Sequence, residues 1–599
     1  MRKRDAAGLE ARAFRGGVAS DVSRNALTIV SRRDLSSVSD QFDFLIVGAG
    51  SAGCVLAHRL SAEGNTVLLL EAGPDTPPGA VPADIEDTYP RSYSNPAYVW
   101  PNLRADLGAV GVPGTTSLFP QARVMGGGSS IMGMIALRGL PEDYDDWETA
   151  GASGWGWSSV LPYFKWLETD CDVADDQHGS SGPVSIRRLG TAEWPPFCRA
   201  VGRALTARGY PAVDDLNGDF RDGYASLPLS RTVSQRVSSA SAFLDEPTRR
   251  RPNLTIRCDT TVLGLRFENR RCVGVTADER GTSRTFGARH VVVAAGAIHS
   301  PALLLRSGIG PGDELRRLGI RVVADLRGVG ANLQNHPVVY LATHLKRQAR
   351  QLPLLRPHFA SALRFSSSED PTLRGDMLML VMNKSSWRGL GAAVAGLGVG
   401  LYRPFSRGSI RLRSADPRVY PEISFGLLTD TRDRERMIGG LRLALEVMQD
   451  DEVKPLRHEV FAAGYSRIVR RLNGPGRLNN VTSLFLGALL DGPHTLRRSM
   501  IRYGVGAQET NEATMMTDAW LRQTVGRRAF GMYHAAGSCR MGGSDDPLAV
   551  VDASGCVHGV PGLSVVDASI MPTLVRANTN LPVLMIAAKV ADAMLTDVS

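Results

Sequence analysis

The chain has 599 residues, 43% apolar and 22% charged, a balance ordinary for globular proteins and a length sufficient for two or more sizeable cores. Its net charge of +9 comes with an aromatic fraction of only 6% and dispersed arginines, which fits a solvated surface that attracts anions and excludes a nucleic-acid groove. Seven cysteines, odd in number and without a C-x-x-C pair, offer neither a disulfide pattern nor a metal framework. Buried, inert thiols such as Cys54 and Cys258 fit a reducing, cytoplasmic compartment, and no metal is expected.

Residues 1–40, rich in Arg, Ala and Ser, are expected to form a disordered extension. Ser31-Arg32-Arg33-Asp34-Leu35 has the outline of a twin-arginine export signal, but Ser36 to Gln41 supply no apolar region behind it. Asp5, Glu10 and Asp21 weigh against an organelle transit segment.

Asp43 to Val47 reads as a buried strand that breaks into Gly48-Ala49-Gly50-Ser51-Ala52-Gly53, a G-x-G-x-x-G run, and then into a helix with Val55, Leu56 and Leu60 on one face. Gly48 suits the tight turn, Gly50 lets backbone approach a pyrophosphate, and Gly53 lets helix lie close on strand. Unpaired N–H groups at the helix start favour the phosphates. Alone, the run is a weak signal that ordinary tight turns share. Thr66 to Leu70 adds a second strand ending at Glu71-Ala72, where a carboxylate about 20 residues on can accept both ribose hydroxyls. That acid disfavours a 2′-phosphate, and with it NADP.

Beyond Pro- and Gly-rich connections from Pro74 to Pro120 comes Arg123-Val124-Met125-Gly126-Gly127-Gly128-Ser129-Ser130-Ile131-Met132-Gly133. Its bare backbone suits a loop along a flat or anionic ligand, although a flexible linker has the same composition. Trp147, Trp155 and Trp157 with Tyr144, Tyr163 and Phe164 form an aromatic cluster read as core or domain seam. Arg236 to Ala240 leads into a helix reaching Leu244. Leu254–Ile256 and Val262–Phe267 read as strands, Cys272–Thr276 as a hairpin partner, and His290–Ala295 as an apolar strand entering a helix that stops at Ser307 to Pro311.

The texture then changes. Apolar alternation from Met377 to Met382, a strand at Ser409–Leu412 and helices at Arg432–Gln449 and Asn511–Thr524 suggest a second domain with its own sheet. The longest uncharged apolar run, Gly389 to Tyr402, is too short to cross a bilayer and too rich in glycine for a helix, so no membrane span is expected. The expected division is 41–345 for the first part of a dinucleotide domain, 346–524 for a substrate domain, and 525–599 for a return to the first.

Two C-terminal blocks stand out: Tyr533-His534-Ala535-Ala536-Gly537-Ser538-Cys539-Arg540-Met541-Gly542, and Val565 to Pro572 running on to Asn578-Thr579-Asn580-Leu581-Pro582, before a helix ending near Leu595. A lone histidine is more often structural than catalytic. With GAGSAG, Glu71, Arg123–Gly133 and Gly296–Pro311 in this order, however, the chain from about Phe42 to Leu595 resembles the glucose-methanol-choline (GMC) flavin oxidoreductases. VWPNL at Val99–Leu103, Arg138 to Trp157 and ANTNLP at Ala577–Pro582 resemble the branch of 5-hydroxymethylfurfural and aryl-alcohol oxidases.

The resemblance implies an α/β fold: a Rossmann-type FAD-binding domain of the GMC/PHBH kind with an α+β substrate domain carrying an antiparallel sheet. It implies that His534 is the catalytic base and Asn578 the second catalytic residue. A primary alcohol ionises far above neutral pH, so hydride loss to flavin N5 needs a positioned base, and a carboxamide would hold the oxygen. The implied substrate is a neutral, aryl or heteroaryl alcohol, with O2 or another acceptor taking the electrons.

On the FAD side the fingerprint supplies Gly48, Gly50, Ser51, Ala52, Gly53, Glu71 and Ala72. The loop beside the flavin supplies Arg123, Met125, Gly126, Gly127, Ser130, Met132, Gly133 and Met134. Val262 matches the adenine-reading strand position and Asp567 and Ala568 the contact with the ribityl-phosphate chain; Ala295, Tyr533, Asn578 and Thr579 are further expected contacts of the cofactor.

Two positions depart from the family. Met132 stands where many members have Asn, which removes a hydrogen-bond donor near the ring; Ile131 stands where covalent members have His, so FAD is expected to be non-covalent. The alternatives are lyase or photoenzyme use of the scaffold, of the hydroxynitrile lyase or fatty-acid photodecarboxylase type. Tyr402 aligns near the photodecarboxylase cysteine and argues against the latter. His299 and His336 lie in structural motifs and are not assigned to the site.

Overall fold

Strand Gln41–Val47, buried along its last four residues, lies inside a seven-stranded sheet with the path Thr260–Glu268, Arg271–Glu279, Thr282–Val293, Gln41–Val47, Val67–Leu70, Leu254–Arg257. Leu563–Val565 pairs with the end of Thr282–Val293. The central pairings are parallel, which demands cover on both faces and explains the unbroken apolar runs Phe44–Val47 and Val67–Leu70. Thr282–Val293 changes partner at Gly287: its first half is antiparallel to Arg271–Glu279, its second parallel to Gln41–Val47. The computed structural model describes residues 41–107, 116–368, 370–464, 476–505 and 509–598, so the extension expected over 1–40 lies outside the described residues.

Gly48 has φ +98°, and a Cβ there would stand 2.7 Å from the Ala294 carbonyl oxygen. At Gly53 a Cβ would stand 1.9 Å from the Gly48 carbonyl oxygen, so only glycine lets helix Ser51–Ala62 close onto the strand. The C-terminal helix Asn580–Val598 packs against it and is apolar nearly all round, because its neighbours bury it. Ser51 Oγ donates to Asn580 Oδ1 at 2.7 Å and joins the two helix starts.

The second sheet is antiparallel throughout, with the path Arg457–Ala462, Pro337–Leu345, Val394–Leu401, Met377–Met382, Phe359–Phe365, Gly223–Ser226, and Phe530–Gly531 pairing with the start of Pro337–Leu345. Strands at 223–226, 337–345 and 530–531 fall outside the 346–524 interval, so that interval does not enclose the sheet, and both sheets belong to one unit, Asp40–Ser599.

Alternation sorts the side chains of this sheet. Met377, Met379, Val381, Leu341, Leu397 and Val399 enter one core, while Val338, Tyr340, Leu380 and Met382 face a cavity. The glycines of Val394–Leu401 fall on the cavity face: a Cβ at Gly398 would meet the Tyr340 ring at 2.5 Å and one at Gly400 the Tyr402 ring at 2.9 Å. That spacing explains why an apolar run so rich in glycine is a strand.

Several expected elements lie within two residues of their observed bounds, but the strand expected at His290–Ala295 runs from Thr282 to Val293 and its hairpin partner, expected at Cys272–Thr276, from Arg271 to Glu279. The expected helix over Asn511–Thr524 is instead two, Glu512–Met515 and Asp518–Arg528, because the Thr517 hydroxyl caps the second by accepting from Trp520 N–H. The aromatic cluster is core: Trp147 and Trp155 are fully buried, and their indole N–H groups donate to the carbonyls of Thr573 and Ala553. Among the described residues no helix is long and apolar enough to cross a membrane.

Candidate active site

Two cavities meet at one cluster of side chains. The first, about 890 Å3, lies under the antiparallel sheet and is lined by Tyr89, Tyr93, Phe359, Leu380, Met382, Trp387 and Phe461 among others. The second follows the carboxyl ends of the parallel strands, where open α/β sheets bind ligands. Met132, Gly133, Tyr533, His534 and Asn578 border both.

Of the residues assigned to the cofactor from sequence, Gly48, Gly50, Ser51, Ala52, Glu71 and Ala72 line the second cavity at its glycine turn. Gly127, Met132, Gly133, Met134, Val262 and Ala295 line it from the loop and sheet, and Tyr533, Asp567, Ala568, Asn578 and Thr579 from the C-terminal blocks. Gly53, Arg123, Met125, Gly126 and Ser130 do not; they brace it from behind. Gly126 N–H donates to the Ala49 carbonyl at 2.7 Å, Ser130 Oγ to the Met125 carbonyl at 2.7 Å, and the Arg123 guanidinium lies over the Trp100 ring.

The second cavity has the features of an anion and ribose site. A Cβ on Gly50 would meet no protein atom within 4 Å, and helix Ser51–Ala62 begins there with no side-chain cap and no acid in its first turn. Its first N–H groups are therefore available to phosphate. Glu71 is buried and accepts from Ala49 N–H at 2.9 Å and Gly73 N–H at 2.8 Å, which fixes the carboxylate while each oxygen keeps a lone pair. Burial pushes its carboxyl pKa up. Asp567 accepts from Gly296 N–H and the Ser300 hydroxyl through Oδ2 and from Ser569 N–H through Oδ1, so it knits the second glycine turn to the C-terminal block.

His534 is brought to the junction by the backbone. Residues 334–336 run antiparallel to 534–536 through the reciprocal Gln334 and Ala536 bonds, and Met532 N–H donates to the His336 carbonyl. His534 N–H donates to Asn335 Oδ1 at 3.0 Å. Tyr533, between these anchors, is held at φ +63°, a strained conformation for a bulky residue.

The side chains form a directed chain of hydrogen bonds. The Tyr402 hydroxyl donates to Asn578 Oδ1 at 3.2 Å, and Asn578 Nδ2 lies 3.0 Å from His534 Nε2. An amide nitrogen only donates, so Nε2 is the accepting nitrogen and the proton of the neutral ring sits on Nδ1. His534 Nδ1 lies 2.9 Å from His336 Nδ1, which receives that proton's hydrogen bond. Burial pushes the His534 pKa down to about 3 and, with the neighbouring His534, that of His336 well below the ordinary value. The imidazole at the cavity junction is therefore neutral, with its lone pair turned to Asn578.

Sequence reasoning set aside three residues that the fold brings here. His336 supports His534. Tyr402, read only as a mark against one branch, orients Asn578 and stacks on His336 with ring centroids 4.3 Å apart. His299 lines the second cavity with its ring 4.5 Å from that of Trp100. Arg236, buried, also escaped notice: its guanidinium donates to the carbonyls of Ile85, Ser129 and Met132 and so holds the glycine loop. Met132 turns a side chain without a donor to both cavities, and Ile131 packs with Ile85 and Val124.

Two family models described as GMC oxidoreductase match residues 42–338 and 404–587. The chain is 39% identical over 566 residues to 5-(hydroxymethyl)furfural oxidase of Methylovorus sp. (strain MP688), covering 93% of this chain and 99% of the relative. It is 33% identical to oxygen-dependent choline dehydrogenase 1 of Chromohalobacter salexigens, covering 92% and 94%. Among solved structures, pyridoxine 4-oxidase from Mesorbium loti superposes with a TM-score of 0.76 at 28% identity, covering 93% of this chain and 99% of that one.

Proposed function

This chain belongs to the GMC oxidoreductase family, whose members bind FAD, and we propose that it oxidises neutral primary alcohols, aryl or heteroaryl, to aldehydes with His534 as the base. The observation that carries the proposal is the pairing of His534 Nε2 with Asn578 Nδ2 where the two cavities meet. Bound FAD supplies the hydride acceptor, flavin N5, and delivers the electrons to O2 or another acceptor.

The chain's own part follows from the hydrogen bonds. At rest the amide donor and the imidazole acceptor satisfy each other. An alcohol oxygen entering between them accepts from Asn578 Nδ2 and donates its proton to His534 Nε2, so both groups stay paired while the carbinol carbon is fixed. As the proton passes to Nε2 the ring becomes an imidazolium, which favours negative charge on the neighbouring reduced cofactor.

The larger cavity supports this substrate class. Its lining is largely aromatic and aliphatic and, among the described residues, contains no Asp, Glu, Lys or Arg. A carboxylate substrate would find no cation there, and a neutral ring-bearing alcohol matches the aromatic and aliphatic lining. This agrees with the identity to a 5-(hydroxymethyl)furfural oxidase. Ile131, buried and unreactive, supports non-covalent FAD, and seven free thiols support a cytoplasmic setting.

The test is an anaerobic panel of alcohols followed by admission of oxygen. Aryl alcohols should bleach the flavin, and oxygen or an added acceptor should restore its colour. His534→Ala should retain FAD and bleach about 10²–10⁴ times more slowly. Bleaching at the unmutated rate would remove His534 from the reaction, and aldehyde release from a cyanohydrin without bleaching would assign the scaffold to a lyase. FAD should be released on acid precipitation.

A further inference from the structure

Helix Arg477–Leu490 is inverted with respect to the usual arrangement of a globular protein. Its inner face is made of Ser483, Gly487 and Leu490: Ser483 Oγ accepts from Leu390 N–H at 3.1 Å, and a Cβ on Gly487 would stand 2.9 Å from the Gly389 backbone. Its outer face carries Leu478 (79% exposed), Val481 (64%) and Phe485 (63%), at the i, i+3, i+7 spacing of a single helical stripe, with Leu484 beside them. An outward apolar stripe of this kind marks a docking surface.

The exposed charge that accompanies the stripe in sequence is of one sign. From Gly476 to Tyr503 the sequence contains Arg477, Arg497, Arg498 and Arg502 against one acid, Asp491. Asp491 is bound by Arg347 and Arg350, and Arg497 turns inward to Glu459, so the exposed charged side chains of this stretch are Arg477, Arg498 and Arg502. Tyr503, 77% exposed, follows them. Helix Arg477–Leu490 lines the larger cavity with Ser483, Leu486 and Leu490, and the following helix His494–Met500 and the turn after it with Met500 and Ile501.

We propose that this face docks on the surface of a lipid bilayer rich in anionic headgroups, with Leu478, Val481 and Phe485 at the boundary of headgroups and acyl chains and the three arginines on lipid phosphates. An exposed apolar helix stripe that begins at Arg477, followed within the next two elements by exposed Arg498 and Arg502, has the composition of an interfacial segment that lies on a membrane without spanning it. A second copy meeting this face across a two-fold axis would set the arginines against themselves, which disfavours self-association. Docking would hold the cavity wall formed by Leu486 and Met500 next to the lipid, so alcohols dissolved in the bilayer would be presented to the site.

The test is vesicle flotation of the flavin-loaded full chain. It should float with vesicles containing phosphatidylglycerol, much less with pure phosphatidylcholine, and should be released at high salt. Combined Leu478→Ser, Val481→Ser and Phe485→Ser should abolish flotation and leave turnover of a water-soluble alcohol unchanged, since none of the three lines either cavity. Combined Arg477→Gln, Arg498→Gln and Arg502→Gln should weaken binding roughly 100-fold. Absence of flotation, equal flotation with both lipids, or flotation unaffected by the serine variant each overturns the proposal. So does a dimer in sedimentation that the serine variant dissolves, which would give the face to a second copy.

Discussion

The Nδ1 atoms of His336 and His534 stand 2.9 Å apart with both rings buried, so a single proton lies between them. Because Asn578 donates to His534 Nε2, that proton belongs to His534, and His336 fixes the tautomer in which Nε2 can act as a base. His336→Ala should therefore lower kcat by about 10-fold or more, less than loss of the base itself, with FAD content retained. Steady-state kinetics with flavin quantitation checks this; an unchanged kcat would show that the tautomer is set elsewhere.

Tyr402 acts one bond further out. Its hydroxyl holds Asn578 Oδ1 and so turns Nδ2 toward the imidazole. In Tyr402→Phe the carboxamide is free to rotate at the cost of one hydrogen bond, about 0.5–1.5 kcal/mol, so kcat/KM should drop between about 2- and 10-fold. Asn578→Asp should do more damage than Tyr402→Phe, because a carboxylate cannot donate to the alcohol oxygen. Comparing kcat/KM of the two variants on one aryl alcohol tests that order.

Acid should affect catalysis and stability differently. Burial holds the His534 pKa at about 3, so the ring stays neutral well below the pH at which free imidazole protonates. The acid limb of kcat/KM should fall below pH 6.5, the ordinary imidazole value. His358, also near 3, and His336 are buried in the neutral form as well. The unfolded chain takes up protons at about pH 6.5 that the folded chain refuses, so their contribution is intact above that pH and stability declines as pH falls from 6.5 toward 3. Melting temperature measured across that window, beside the pH profile of kcat/KM, reads both effects; an acid limb at or above pH 6.5 contradicts a buried neutral base.

Two glycines of one motif should behave oppositely. Gly53→Ala places a methyl 1.9 Å from the Gly48 carbonyl oxygen, backbone against backbone, and should cost both melting temperature and FAD. Gly50→Ala meets no protein atom within 4 Å and should leave the apoprotein's melting temperature unchanged while weakening FAD, whose phosphates need that space. Thermal denaturation of apo and loaded forms separates the two.

The nucleotide half of the site was legible because its determinants are local. A tight turn, an uncapped helix start and an acid at the end of the next strand are consecutive in sequence, and the steric reasons for Gly48 and Gly53 act over a few residues. The strand Met377–Met382 was expected from apolar alternation, although all six of its residues prove buried, and His534 and Asn578 were singled out from motif blocks that the family resemblance identified. His336, Tyr402 and Arg236 carried no such signal. Each acts through a partner at least 100 residues away in the chain, as in Tyr402 with Asn578 and Arg236 with Met132, and an isolated His, Tyr or Arg has no pattern to announce it.

The exposed stripe on helix Arg477–Leu490 has the same origin. Periodicity gives an apolar face, but which face turns inward depends on Ser483 meeting Leu390 and Gly487 meeting Gly389, contacts between separate segments. Sequence by itself thus determined the dinucleotide unit and the order of elements, since each follows from short-range sterics or a contiguous motif, and the family resemblance singled out His534 as the proposed base. Tertiary structure alone decided the tautomer of that base, the residues that orient its partner and the side of the molecule left apolar. Hydrogen-bond direction and burial belong to atoms that only folding brings within reach of one another.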